Sequence, residues 1–334
     1  MKKILIVRVG RVGDMVMITP ALRALLNNYP DAELHLITSP EGARVLRNFD
    51  SRLTEIKVYD RKALLAYFQK QKLTRFIAAA NYTDIYCFEL NPRYLRMFVG
   101  STATVHTIEN YTLKENYAAQ CLDVVSKVTQ ANQHEWIQLD VTEQAKAQST
   151  QLLTQAGVNE SDIVIGLHPS FSGLKKTSLR NKVARHERCW PASSWASLAK
   201  KLINYGATHK IRLKVIMDLL EEDRELGEEI HELSDGGVTL LIPPANFERY
   251  TATIQRMQLL VTPNTGPMHI AGAVGTNMVT LFSRERPDNC GPYVELSQYT
   301  ALCSDDTEHP EKGLPAISSD AVFAACLPYI VHSQ

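Results

Sequence analysis

The chain has 334 residues, enough for two α/β domains that each bury a core. Hydrophobic residues make up 45% and charged residues 22%, which excludes a disordered or fibrous chain. The 36 basic and 36 acidic side chains cancel, which argues against a nucleic-acid binder and requires any anionic ligand to be met by local positive charge.

The start, Met1-Lys2-Lys3 followed by ILIV, has the opening of a signal peptide. Arg8, Arg11 and Asp14 interrupt the apolar run, so no translocation segment is expected. Residues 3–9, KILIVRV, read as a buried parallel strand, followed by a glycine-punctuated loop and a helix from about Met15 to Asn28. Further strands are expected at 32–38, 54–60 and 83–89 with helical stretches between them, then a helix at 114–128. The polar, aperiodic segment 129–135 is the predicted linker. It separates an N-terminal domain, 1–135, from a C-terminal domain, 136–334.

In the second domain strands are predicted at 162–169, 211–217, 238–243, 259–263 and 278–283. Helices fit at 142–156, 192–205, 220–232 and 247–257, and the amphipathic 318–331 closes the fold. Strands alternating with helices predict two Rossmann-like halves with a cleft between them, and ligands bind beyond the carboxyl ends of such strands. Six scattered cysteines without a CxxC pair predict neither a disulfide framework nor a zinc site, which fits a reducing cytoplasm. No stretch approaches the length of a membrane helix, so work at a membrane means visiting its surface.

The chemistry is expected on two loops. In Arg8-Val9-Gly10-Arg11-Val12-Gly13-Asp14 the glycines let the backbone approach a ligand, and Asp14 opens the helix. The spacing is not GxGxxG, which speaks against a nicotinamide oxidoreductase. Asp14 is either a helix cap or a carboxylate aimed into the cleft, with capping the stronger reading on local grounds. The second loop, Thr262-Pro263-Asn264-Thr265-Gly266-Pro267-Met268-His269, follows a strand and opens a helix, whose amide end holds phosphate well. Thr265 and Gly266 would serve a diphosphate, with His269 one turn in; an ordinary turn and an interior histidine is the equal alternative.

In Arg188-Cys189-Trp190-Pro191 and the Ser-capped helix after it, the tryptophans are packing residues and Arg188 is the group of interest. The preceding basic stretch, Lys175 to Arg185, is either a solvated loop or a flap that meets phosphates. No DxD pair follows a strand, so no metal is expected. Leaving-group charge would fall to Arg188 and the helix end.

Together these motifs resemble the heptosyltransferases, glycosyltransferase family 9. ILIVRVGRVGDMVMITPALRALLNNYP looks like that family's N-terminal signature, and VTPNTGPMHIAGAVGTNMVTLFS like its second, with IGLHPS and RCWPASSWASLAKKL in matching order between them. The resemblance spans roughly residues 3–293. It implies a GT-B fold, an inverting mechanism, an ADP-heptose donor as substrate with no cofactor, and an acceptor in the inner core of lipopolysaccharide, Kdo or heptose on lipid A. It implies Asp14 as catalytic base. It places Arg11, Gly13, Ser170, Ser172, Arg188, Asn264, Thr265, Gly266 and His269 at the donor. Two departures stand out. Asn264 occupies a position where many members carry Asp, and the usual Gly-Gly-x-x-Glu is replaced by Met217 to Asp223, leaving Glu222 or Asp223 as the acidic nucleotide contact. The implied enzyme is metal-independent and cytoplasmic, in transient contact with the inner membrane surface. Its rivals are the same fold serving another nucleotide sugar or a protein acceptor, and a non-catalytic nucleotide-sugar binder.

Overall fold

The computed structural model describes residues 2–129, 135–171, 187–283 and 285–331. The chain divides into two compact units, Met1–Asp140 and Val141–Gln334. The first extends through Asp140 because the segment before it is pinned to helix α2: the Gln138 N–H donates to Thr19 Oγ1 at 3.1 Å, and Arg23 pairs with Asp140 at 2.6 Å.

In the first unit β1 (Lys3–Arg8) is followed by α1 (Val12–Val16), α2 (Thr19–Asn28), β2 (Glu33–Thr38), α3 (Pro40–Leu46) and β3 (Leu53–Val58). Then come α4 (Ala66–Ala79), β4 (Asp84–Cys87), β5 (Thr104–Thr107) and α5 (Tyr117–Thr129). The helix predicted from Met15 to Asn28 is two helices. Pro20 lacks the N–H that a continuous helix needs and sits in the first turn of a new one, while Thr19 Oγ1 donates back to the Val16 carbonyl at 2.7 Å. The strand predicted through Glu89 stops at Cys87, because Glu89 turns back to accept the Val9 N–H at 2.6 Å. Strand β5 was not anticipated; four residues with exposed Thr104 and Val105 give little periodicity.

The second unit holds α6 (Glu143–Gln155), β6 (Ile163–Leu167), α7 (Ala192–Thr208), β7 (Leu213–Asp218), α8 (Arg224–Leu233), β8 (Val238–Leu241) and α9 (Phe247–Arg256). It continues through β9 (Leu259–Pro263), α10 (Gly266–Ala273), β10 (Asn277–Phe282), α11 (Pro287–Cys290), β11 (Tyr299–Cys303) and α12 (Ser319–Val331). The stretch predicted as a helix from 220 begins as a 3-10 turn, Glu221–Asp223. Helix α7 is not capped by serine: Pro191 holds the cap position, and Ser193 and Ser194 lie inside the first turn. Gly275 ends α10 at φ +81, the left-handed conformation that lets the Thr276 N–H return to the Ala271 carbonyl and launch β10.

Every strand pairing is parallel, and the sheet orders are β3-β2-β1-β4-β5 and β11-β10-β9-β6-β7-β8. Both run outward on one side, return to the first strand, and run outward on the other. The order therefore reverses between β1 and β4 in the first unit and between β6 and β9 in the second. Central strands such as β1 and β9 are buried along nearly their whole length, since helices cover both faces of a parallel sheet. Trp190 and Trp195 are fully buried in the second core, edge to face with ring centroids 4.8 Å apart, and Trp190 Nε1 donates to the Ile317 carbonyl at 2.8 Å. All six cysteines are free thiols.

Candidate functional site

In the first unit the loop after β1 meets the loop after β4 at the strand-order reversal, where open α/β sheets bind ligands. The Asp14 carboxylate takes two donors there: the Arg11 N–H at 2.7 Å and Arg8 Nη2 at 2.8 Å. The first contact differs from the expected cap: the helix starts at Val12 with Arg11 at the cap position, and Asp14, its third residue, reaches back to the Arg11 N–H; the second contact adds a charged partner. Capping and presentation are therefore compatible, since the Asp14 side chain stays 39% exposed. The Arg8 side chain is buried between Asp14, Glu89 at 3.6 Å and the face of Tyr117 at 4.7 Å, and its Nη1 donates to the Phe88 carbonyl at 3.4 Å. Burial works against the Arg8 charge, but Tyr117, Asp14 and Glu89 outweigh it and hold the guanidinium firmly protonated. Tyr117 donates its hydroxyl to the Phe88 carbonyl.

In the second unit the loops after β6 and β9 meet at the corresponding reversal. Asn264 is fixed through its backbone N–H to the Leu281 carbonyl at 2.9 Å and through Nδ2 to Cys290 Sγ at 3.1 Å. One of its two amide hydrogens goes to the thiol, which leaves Oδ1 and the second N–H to meet a ligand hydroxyl. Burial pushes the Cys290 thiol up to about 11, against the pull of the Asn264 hydrogen bond and the Arg188 charge. That coupling places Arg188 on the Asn264 side of the sheet, where its guanidinium also lies over Phe171 at 5.1 Å. Thr265 caps α10 by backbone only, its Oγ1 3.1 Å from Thr262 Oγ1, and Gly266 begins the helix. His269 is buried on that helix.

A polar cluster, buried at Asp218 and Arg249 and half-buried at His168 and Tyr250, stands at the ends of β6 and β7. His168 Nδ1 lies 3.2 Å from the Tyr250 hydroxyl, and burial lowers the imidazole to about 4, so it is neutral near pH 7. Asp218, the last residue of β7, pairs with Arg249 on α9. Burial nonetheless pushes the Asp218 carboxyl up to about 6.

The structure thus brings Arg11, Gly13 and Asp14 together on the first unit. On the second it brings Arg188, Asn264, Thr265 and Gly266 to one end of the sheet, with Ser170 buried just beyond β6. Glu222 is exposed in the 3-10 turn after β7, and Asp223, its alternative, is buried. Ser172 and the basic stretch from Lys175 to Arg185 lie outside the described residues.

The family model of glycosyltransferase family 9 (heptosyltransferase) matches residues 110–317. The chain belongs to that family. Arg188, Asn264, Thr265, Gly266 and His269 fall inside the matched stretch, and Asp14 falls before it. Among curated relatives, lipopolysaccharide heptosyltransferase 3 of Escherichia coli is 21% identical over 293 residues, covering 81% of this chain and 80% of that protein. The lipopolysaccharide core heptosyltransferase OpsX of Haemophilus influenzae is 25% identical over 133 residues, which span 40% of this chain and only 37% of that protein. Among solved structures, a family 9 glycosyltransferase of Veillonella parvula superposes with a TM-score of 0.82 at 19% identity, covering 99% of this chain and 98% of that one. The E. coli ADP-heptose lps heptosyltransferase II gives 0.72 at 18% identity, with 99% of each chain covered. The fold is accordingly GT-B in type, two parallel-sheet α/β units.

Three groups in this family 9 glycosyltransferase escape a reading of motifs alone: Glu89, Cys290 and the Asp218–Arg249 pair. Each follows or ends a strand on the carboxyl edge of its sheet, and that position is the signal a strand assignment carries. Gly10 also gains a specific reason. A Cβ built there would stand 2.3 Å from Asp14 Cβ, so a side chain must displace Asp14 or the turn. If Asp14 acts on the substrate, Gly10→Ala is expected to lower glycosyl transfer by about 10²-fold, the cost of misplacing a reacting group. Steady-state kinetics beside a melting curve checks this, and unchanged turnover would show that Asp14 needs no such placement.

Proposed function

We propose that this glycosyltransferase moves heptose from ADP-heptose to the inner core of lipopolysaccharide, Kdo or heptose on lipid A, with inversion and without a metal. The observation that carries the reading is the placement of the two motifs. Each lies at the strand-order reversal of its own sheet, a carboxylate in one unit and a phosphate-type helix end in the other. The names of the relatives, lipopolysaccharide heptosyltransferase 3 and ADP-heptose lps heptosyltransferase II, supply the donor and acceptor class.

The acceptor hydroxyl oxygen forms a bond to the anomeric carbon as the bond from that carbon to the diphosphate breaks. Asp14 takes the hydroxyl proton, and ADP leaves with the electron pair. Arg188 and the amides at the start of α10 meet the charge that develops on the diphosphate, donors held in place before the reaction. Asn264 Oδ1 and Ser170 are assigned to the sugar and phosphates. Arg11 and Gly13 are assigned to the phosphates from the first unit, and Glu222 to the nucleoside.

A panel of nucleotide sugars, read by nucleotide release with and without a Kdo–lipid A acceptor, tests the reading. Acceptor-dependent release from ADP-heptose is the expected result. Release from a different nucleotide sugar would overturn the donor assignment. Calorimetric binding of ADP-heptose with no release across core acceptors would instead leave a non-catalytic binder.

A further inference from the structure

We propose that the surface formed by residues 61–72 and 93–96 docks the first unit onto a bilayer of anionic phospholipid. The apolar component is large and exposed. Leu64 is 100% exposed, Leu65 58%, Tyr67 68% and Phe68 64%, consecutive or nearly so in the chain where α4 begins. Tyr67 and Phe68 pack edge to face at the start of α4, a helix that also packs on the short turn of residues 95–98. Lys70 Nζ donates to the Arg93 carbonyl at 2.9 Å and joins the two segments. The apolar side chains of residues 64–68 and the basic ones around Arg93 therefore share one stretch of surface.

The charge around it has a single sign. From Arg61 to Val99 the sequence carries seven basic residues and two acidic ones, Asp84 and Glu89. Both acids face inward: Asp84 is held by Lys2 and His106, and Glu89 by Arg8 and the Val9 N–H. Asp60, just before the stretch, is half-buried with its carboxylate on the Lys62 N–H. Lys62, Lys72, Arg93 and Arg96 are exposed. In a chain of zero formal net charge, this is a local basic excess around leucine, tyrosine and phenylalanine.

That composition matches an interfacial surface, whose aromatic and aliphatic side chains enter the headgroup boundary while Lys and Arg meet anionic lipid. A second copy of the chain is a poor occupant, because a two-fold contact would set the basic ring against itself. A nucleic acid would use the charge and the rings but leave Leu64 and Leu65 in water. The patch also has a location that gives it a use. It is built from the loops after β3 and β4, at the same carboxyl edge of the sheet where Asp14 follows β1. A lipid-anchored acceptor would thus be presented on the edge that carries the proposed base. This last step rests on the proposed acceptor, whereas docking itself is read without any transfer reaction.

The test is flotation of the full chain with vesicles of phosphatidylcholine alone and of phosphatidylcholine mixed with phosphatidylglycerol. Binding is expected only to the mixed vesicles and is expected to weaken as salt is raised. The variants L64S/L65S/F68S and K62E/K72E/R96E should each lower the partition coefficient at least about tenfold, while keeping the melting temperature, because every substituted side chain is exposed. Equal binding to both vesicle types, no binding to either, or variants that bind as the parent does would overturn the proposal. So would light scattering that shows a dimer lost in L64S/L65S/F68S without vesicle binding.

Discussion

Asp14→Asn is expected to lower sugar transfer by about 10²- to 10⁴-fold, the range that a positioned general base supplies. The variant is nearly isosteric, and its effect separates into two parts. An amide has one acceptor oxygen, so it cannot take both the Arg11 N–H and the Arg8 guanidinium as the carboxylate does. One of the two contacts becomes a donor facing a donor, which should cost about 1 kcal/mol of stability and a few degrees of melting temperature. That loss is too small to explain a thousandfold change in rate. The remainder is the missing proton acceptor. Most nucleotide-binding residues are assigned to the other unit, and Arg11 and Gly13 keep their backbone beside a nearly isosteric side chain, so ADP affinity should fall far less than the rate, by no more than about tenfold or ~1.4 kcal/mol. Turnover within tenfold of the parent, measured at saturating donor, would remove Asp14 from the base role and leave it a cap.

Much of the architecture is legible in the residues, for physical reasons that also mark where legibility ends. The central strands, such as ILIV in β1 and LLV in β9, are continuous apolar runs because helices cover both sheet faces. Their burial is what makes them visible. Strand β5 at an edge and the short β11 have mixed burial and therefore no pattern to find. The break between α1 and α2 hides inside an apolar stretch, and only Pro20 signals it. The two loops stand out because each sets glycine beside polar residues between a strand and a helix, although a cap or an ordinary turn has the same local look. Arg8 sits in plain view in the first motif, but its partner Glu89 comes 81 residues later and meets it only through the β1–β4 pairing. Cys290 had no signal beyond its place after β10. A lone cysteine matters here because tertiary structure carries its thiol to the amide of Asn264.

The Asp218–Arg249 pair offers the largest expected effect on stability. Both side chains are buried, at the end of β7 and in the first turn of α9. Arg249→Met keeps the stem's bulk but strands a carboxylate in the interior, a loss of about 3–5 kcal/mol in urea unfolding near pH 7. Replacing both partners, as D218L/R249M, removes the stranded charge and should restore most of that loss. The pH dependence gives a second, independent reading. The Asp218 carboxyl is pushed above its ordinary 3.8, to about 6 in the parent. Between those values the folded chain binds more protons at this site than the unfolded chain, so its contribution falls as pH rises and levels off above about 6. Without Arg249 the folded value moves higher still, and the decline continues to higher pH. The gap between variant and parent should therefore widen from pH 5 to pH 8. His168 titrates in the opposite sense, lowered to about 4 by burial, but it is present in both proteins and subtracts from the difference. A gap that stays constant across that range would mean that Asp218 carries no buried charge for Arg249 to balance, and that the pair is held by packing alone.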